Sequence, residues 1–189
     1  SYGIRGEGVC IFDYNNDGLE DVFICDNNTG SNVLFKNLGN MDFEEVSFAA
    51  GITTSSPTRL PLAADYNNDG CLDLFIGALS GNSFLYKNNC DGSFTDVTTQ
   101  SGIVTDGGIR GGAWSDVNKD GFVDLYVGRL LENNYLFQNN GDGTFINVAQ
   151  NMNASGPQSN GLVMGLSFVD YDNDGDNDIF ITQDGNLGN

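Results

Sequence analysis

Histidine is absent from the 189 residues. That removes Ser-His-Asp triads, Cys-His pairs and the usual His-ligated zinc hydrolase sites. Positive charge is scarce, with seven Lys and Arg against 26 Asp and Glu and a formal charge of −19. Such a surface repels polyanions, so nucleic acid, heparin-like glycans and anionic membranes are excluded as main partners. No run approaches the ~20 apolar residues of a spanning helix, so no membrane insertion is expected. Helical periodicity is missing too, and 26 Gly would interrupt helices in any case.

What is present argues against disorder. Thirteen Phe, seven Tyr and one Trp are far too many aromatics for an acidic tail. The length suits one domain or a small repeat array with a buried core. Most aspartates fall in four short stretches that repeat one pattern. Asp13-Tyr-Asn-Asn-Asp-Gly-Leu-Glu-Asp21 recurs from Asp65 to Asp73, from Asp116 to Asp124 and from Asp170 to Asp178, at steps of 52, 51 and 54. A second block keeps step: Leu34-Phe-Lys-Asn37, Leu85-Tyr-Lys-Asn88 and Leu136-Phe-Gln-Asn139 are 51 apart. Phe43-x-x-Val46, Phe94-x-x-Val97 and Phe145-x-x-Val148 follow at the same period.

Short apolar runs flank each acidic stretch, such as Val9–Phe12 and Val22–Ile24, or Leu62–Ala64 and Leu74–Ile76. They are rich in β-branched and aromatic residues and read as strands. The Leu-Phe and Phe-x-x-Val pieces add two more, joined by Asn/Asp-Gly turns. The expected fold is all-β: β-propeller blades of four antiparallel strands. About three and a half blades are expected: 1–52, 53–104, 105–156 and the inner half of a fourth at 157–189. An unpaired half-blade would leave an open strand edge. We therefore expect either a segment of a longer propeller or a subunit completed by another chain.

Each nine-residue stretch places carboxylate or amide oxygens at positions one, three, five and nine. Gly at position six permits a sharp turn, and the carbonyl of position seven is available to the same centre. The candidate ligands are Asp13, Asn15, Asp17, Leu19 and Asp21; Asp65, Asn67, Asp69, Cys71 and Asp73; Asp116, Asn118, Asp120, Phe122 and Asp124; Asp170, Asp172, Asp174, Asp176 and Asp178. Leu19, Cys71, Phe122 and Asp176 would act through the main chain. An all-oxygen cage of this charge suits Ca2+, about four ions in all, with magnesium a second choice because of its stricter geometry. Plain solvated turns would leave three carboxylates per loop repelling one another. An EF-hand needs Glu at position twelve, where this chain has Ile24, Ile76, Val127 and Ile181.

The repeat resembles the FG-GAP/VCBS-type calcium-binding β-propeller repeat over nearly the whole chain. The blade running from Asp65 to Thr98 is closest to ASPIC/UnbV-like, cartilage-acidic-protein-like secreted proteins. Integrin α-subunit heads are more distant. The resemblance implies a propeller with more blades than are present here, and calcium stiffening the loop between the first two strands of a blade.

Four cysteines fit an oxidising compartment. Cys10 and Cys25 flank the first loop, and Cys71 and Cys90 lie at one end of the second blade, so Cys10–Cys25 and Cys71–Cys90 are the expected pairs. Order alone leaves three connectivities open, and buried thiols are the alternative. Asn27-Asn-Thr29 and Asn153-Ala-Ser155 fit the glycosylation sequon, making Asn27 and Asn153 candidate acceptors. Trp114 sits where inner strands pack between blades and reads as core.

Functionally, the expectation is a secreted, non-enzymatic calcium-binding module for extracellular binding, adhesion or scaffolding. Its partner would be an extracellular protein or glycan. One alternative is a homopolymeric assembly completed by strand exchange. The other is a carbohydrate-active enzyme, although Glu7, Glu44, Glu45, Glu132 and Asp184 form no paired constellation.

Overall fold

The computed structural model describes residues 8–29, 31–156 and 162–184. Glu7 therefore lies outside the described residues. The first sheet runs in the order β1 (Val9–Phe12), β2 (Asp21–Ile24), β3 (Val33–Gly39) and β4 (Asp42–Glu45). The second follows with β5 (Thr58–Ala64), β6 (Asp73–Ala78), β7 (Phe84–Asn88) and β8 (Phe94–Asp96), and a single helical turn, α1 (Thr98–Ser101), closes it. The third holds β9 (Ile109–Ser115), β10 (Asp124–Arg129), β11 (Tyr135–Asn139) and β12 (Phe145–Asn147). A last hairpin pairs β13 (Leu162–Val169) with β14 (Asp178–Asp184). All pairings are antiparallel, as in propeller blades.

The first strands of the later blades are longer than their apolar runs suggest, seven residues in β5 and β9. Neither strand is apolar throughout: β5 opens with Thr58 and Arg59 and carries Pro61, and β9 carries Arg110, Gly111 and Gly112, so an apolar run marks only part of each. Packing between blades is close, since a Cβ at Gly77 of β6 would lie 2.6 Å from Ile109 Cγ2 and one at Gly128 of β10 would lie 2.6 Å from Val163 Cγ1.

The core lies between blades. Strand alternation sends Leu74 and Ile76 of β6 into a cluster with Phe12, Phe23 and Leu34 of the first blade. Phe75, between them, points the other way and joins Leu125, Val127 and Phe137 of the third. A third cluster joins Tyr126 and Leu136 to Leu166, Phe168 and Ile179 of the last hairpin. Trp114 packs edge-on against Phe75, ring centroids 6.5 Å apart, and also against Phe145 at 6.1 Å. Fully burying a side chain such as Phe75 stabilises by roughly 2–3 kcal/mol. No helix among the described residues is long and apolar enough to cross a membrane.

Candidate metal centres

Every acidic stretch forms the turn joining the first two strands of a blade. In the second, Asp65 Oδ1 and Asn67 Oδ1 both accept the Asp69 N–H, at 3.0 and 2.9 Å. Asp65 Oδ2 accepts from Gly70 N–H at 2.8 Å, and Asp69 Oδ1 from Cys71 N–H at 3.1 Å. The same four bonds recur in each other loop, centred on Asp13, Asp116 and Asp170. The fourth position is left-handed throughout, with φ of 57° at Asn16, 59° at Asn68 and Lys119 and 60° at Asn173. Asn tolerates this region better than most residues, and the sixth-position Gly tolerates it freely.

Residues one, three and five therefore collect their oxygens on one side of a tight turn. In the fourth loop, carboxylate oxygens of Asp170, Asp172 and Asp174 lie within 4.8 Å of one another. Asp69 groups equally closely with Cys71 and Cys90, but those two sulfurs are bonded to each other and offer no thiolate.

In the first three loops the ninth residue forms a buried floor, whereas Asp178 of the fourth is half-buried and accepts from Tyr171 N–H at 3.3 Å. Asp21, Asp73 and Asp124 are 0, 1 and 0 % exposed. Asp73 accepts from Tyr66 N–H at 3.2 Å and from Asn88 N–H at 2.8 Å. Asp21 and Asp124 repeat the arrangement with Tyr14 and Asn37, and with Val117 and Asn139. Burial raises all three carboxyls above the usual aspartate range, helped by the neighbouring acidic groups of the same loop. For Asp73 the value rises to about 7. Burial and the Asp73 charge together push the Tyr66 hydroxyl up to about 12. A buried carboxylate beside two or three others is an energetically poor anion unless a cation shares the site.

The fifth-position carboxylates have a second neighbour. Lys36 Nζ lies 3.6 Å from Asp17 Oδ2, and Lys87 Nζ 3.4 Å from Asp69 Oδ2. These pairs are solvent-facing and contribute little to stability. At position seven, Leu19 is 37 % exposed, Cys71 is in a disulfide, Phe122 is half-buried and Asp176 pairs with Lys119.

One set of functional residues was missed in the sequence reading. Asn88 Nδ2 donates to Leu72 O at 2.9 Å and to Tyr14 O of the previous blade at 2.7 Å. Asn139 does the same with Val123 O at 3.1 Å and Tyr66 O at 2.8 Å. These are the Asn of the Leu-Phe/Tyr-Lys/Gln-Asn block, each with its own N–H on the ninth-position carboxylate. Their recurrence at the loop period was the available signal.

The structure joins Cys71 to Cys90, with Cα atoms 5.7 Å apart. It does not join Cys10 to Cys25. Cys10 pairs with Phe23 across β1 and β2, while the Cys25 N–H donates to Gly8 O, so the two cysteines are diagonal rather than opposite. A diagonal separation of roughly 7–8 Å is too long for the ~3.8 Å Cβ spacing of a disulfide. Cys25 belongs instead to the core between the first two blades, with Cys10 half-buried against it. Burial raises the Cys10 thiol pKa.

Asn27 is 8 % exposed, while Asn28 and Thr29 of the same sequon are exposed. The Thr29 hydroxyl of the same sequon donates to Asp26. Asn153 is exposed in a turn. Glu44 and Glu45 lie on β4, the outermost strand of the first blade, and Glu132 lies in the β10–β11 turn.

Three four-stranded blades and the opening hairpin of a fourth, each led by an acidic turn, define a β-propeller protein of the acidic-loop type. The chain belongs to the FG-GAP-like repeat family, whose pattern matches residues 13–76, 65–127 and 116–181. It is 32% identical over 99 residues to cartilage acidic protein 1 of Xenopus tropicalis, covering 50% of this chain and 15% of that protein. It is 26% identical over 134 residues to cartilage acidic protein 1 of Mus musculus, covering 65% and 20% respectively. The chain thus spans no more than 20% of the length of these curated relatives. Among solved structures, an Agrocybe aegerita lectin described as recognising non-reducing terminal N-acetylglucosamine superposes with a TM-score of 0.52. The match has 18% identity and covers 93% of this chain and 46% of the lectin.

Proposed function

We propose that each acidic loop holds one calcium ion, making the chain a calcium-stiffened propeller module for extracellular binding or scaffolding. One observation carries this reading: in the first three loops a buried ninth-position carboxylate lies beneath a turn that already gathers the oxygens of positions one, three and five, and in the fourth the carboxylates of Asp170, Asp172 and Asp174 converge in the same turn. The donors are all oxygen and carry at least three formal charges per loop, which fits a hard cation of flexible coordination number. The ion supplies charge neutralisation. Asp73 and its counterparts hold the floor, the first and fifth residues close the sides, and the seventh offers its carbonyl.

Secretion is supported by the Cys71–Cys90 disulfide and by relatives named for cartilage. The role is one of binding rather than catalysis, and the partner is an extracellular protein or glycan.

Calorimetric titration of chelated protein with calcium tests the reading, with about one ion per loop expected. Each loop would gain about 4 kcal/mol at a thousandfold excess of calcium over Kd, so EGTA should lower Tm by more than ~10 °C. A melt unmoved by EGTA would refute it.

A further inference from the structure

Adjacent acidic loops are joined twice. On the surface, the fourth residue of one loop reaches the turn of the next. Asn16 Nδ2 donates to Gly70 O at 3.4 Å and lies 3.3 Å from Cys71 Sγ, and Asn68 Nδ2 donates to Gly121 O at 2.9 Å. Each receiving carbonyl shares a peptide group with the N–H of Cys71 or Phe122, which donates to the fifth-position carboxylate Asp69 or Asp120 at 3.1 or 2.9 Å. A hydrogen bond at one end of a peptide strengthens the bond at its other end. The reaching residue itself lies between the third and fifth ligand positions of its own loop. Below the surface, Asn88 holds Tyr14 O of the first loop with its amide and Asp73 of the second with its N–H. Asn139 links Tyr66 to Asp124 in the same way, at 2.8 Å on both sides.

We propose that the first three loops form a coupled set, in which cation binding at one loop raises the affinity of its neighbour through these cross-blade links. The proposal rests on the calcium reading above. Loading the second loop orders its sixth and seventh residues. That fixes the Asn16 side chain and, with it, the backbone between Asn15 and Asp17. The ordering cost is met once and shared, which is the thermodynamic content of positive cooperativity. The fourth loop is joined differently, by an ion pair between Lys119 and Asp176 and by a hydrogen bond from Asn177 Nδ2 to Ser115 Oγ at 2.9 Å, neither of which reaches a turn carbonyl. An ammonium there competes with a cation rather than assisting it, so this loop stands outside the set.

The sixth-position glycine amides report on single loops, because Gly18, Gly70 and Gly121 each donate to the first Asp of their own turn. Calcium is titrated into the intact protein and into Asn68→Gly, with these amides followed by 15N NMR. Gly keeps the left-handed backbone and no ligand is altered. In the unsubstituted protein, Gly70 and Gly121 should move together along one curve steeper than a simple hyperbola. In Asn68→Gly the curves should separate, with half-saturation raised about threefold. Asn16→Gly should act likewise on Gly18 and Gly70. If both variants keep the original curves while calcium still binds, the coupling is refuted and the calcium reading stands. If no glycine amide moves in the unsubstituted protein by about 10 mM calcium, both are refuted.

Discussion

Asp73 offers the sharpest test of how the loops balance charge. Its carboxyl is 1 % exposed, with both oxygens on backbone N–H groups and Asp69 and Asp65 nearby. The folded-state pKa is raised from the ordinary 3.8 to about 7. Protonation therefore favours the folded state, and that contribution is complete below about pH 4 and lost as pH rises through 7. The gap corresponds to about 4 kcal/mol. Asp73→Asn keeps the site neutral at every pH, so the difference between the two proteins isolates this one group from other carboxyls. In EGTA, the stability of the unsubstituted protein relative to Asp73→Asn should fall by about 4 kcal/mol between pH 4 and 8. That is roughly 8–16 °C in Tm for a chain of this size. In saturating calcium the order should invert, because the ion takes the place of the proton and Asn lacks the charge to hold it. Scanning calorimetry across pH, with and without calcium, measures both. Parallel pH profiles in EGTA would show that Asp73 is not held as a desolvated acid, and an unchanged order in calcium would remove the cation from the second loop.

The Cys71–Cys90 bridge closes a loop of sequence separation 19. Its removal in a Cys71→Ser/Cys90→Ser variant should cost about 3 kcal/mol, or roughly 6–12 °C in Tm by calorimetry, and an unshifted melt would contradict this. Lys119→Ala should raise calcium affinity at the fourth loop by about two- to fivefold at low ionic strength, with the gain fading in high salt. The Gly175 amide, hydrogen-bonded to Asp170, reports it, and an effect insensitive to salt would argue against charge competition.

The repeat, the strand content and the acidic turns were legible because each depends on local chemistry. Aspartates, Asn and Gly at fixed offsets demand one backbone path, and the same path recurs wherever they do. The Cys10–Cys25 pairing was misjudged because it depends on hairpin register. Val9 opposes Ile24, which puts Phe23 and not Cys25 across from Cys10. Two residues of offset are invisible to a count along the chain. The burial of Asn27 was not readable from its sequon: it follows Asp26, whose N–H is tied to Asn32 Oδ1 at 2.7 Å, while Asn28 and Thr29 stay exposed. The part played by Asn88 and Asn139 was hidden because half of it lies in another blade, 74 and 73 residues away. Partial burial of Trp114 between blades was readable from its place in an inner strand.

Placing every apolar cluster between two blades has a consequence for how the chain acquires its structure. Among the described residues, no cluster lies within one blade. Leu74 and Ile76, with Tyr86 and Phe94 of their own blade, pack against the blade made before them, and Phe75, with Leu85, against the blade made after. A blade emerging during synthesis therefore finds half of its apolar surface met at once and holds out the other half as a template for the next. Folding of such a chain can proceed by accretion, in the direction of translation, with each addition completing the one before.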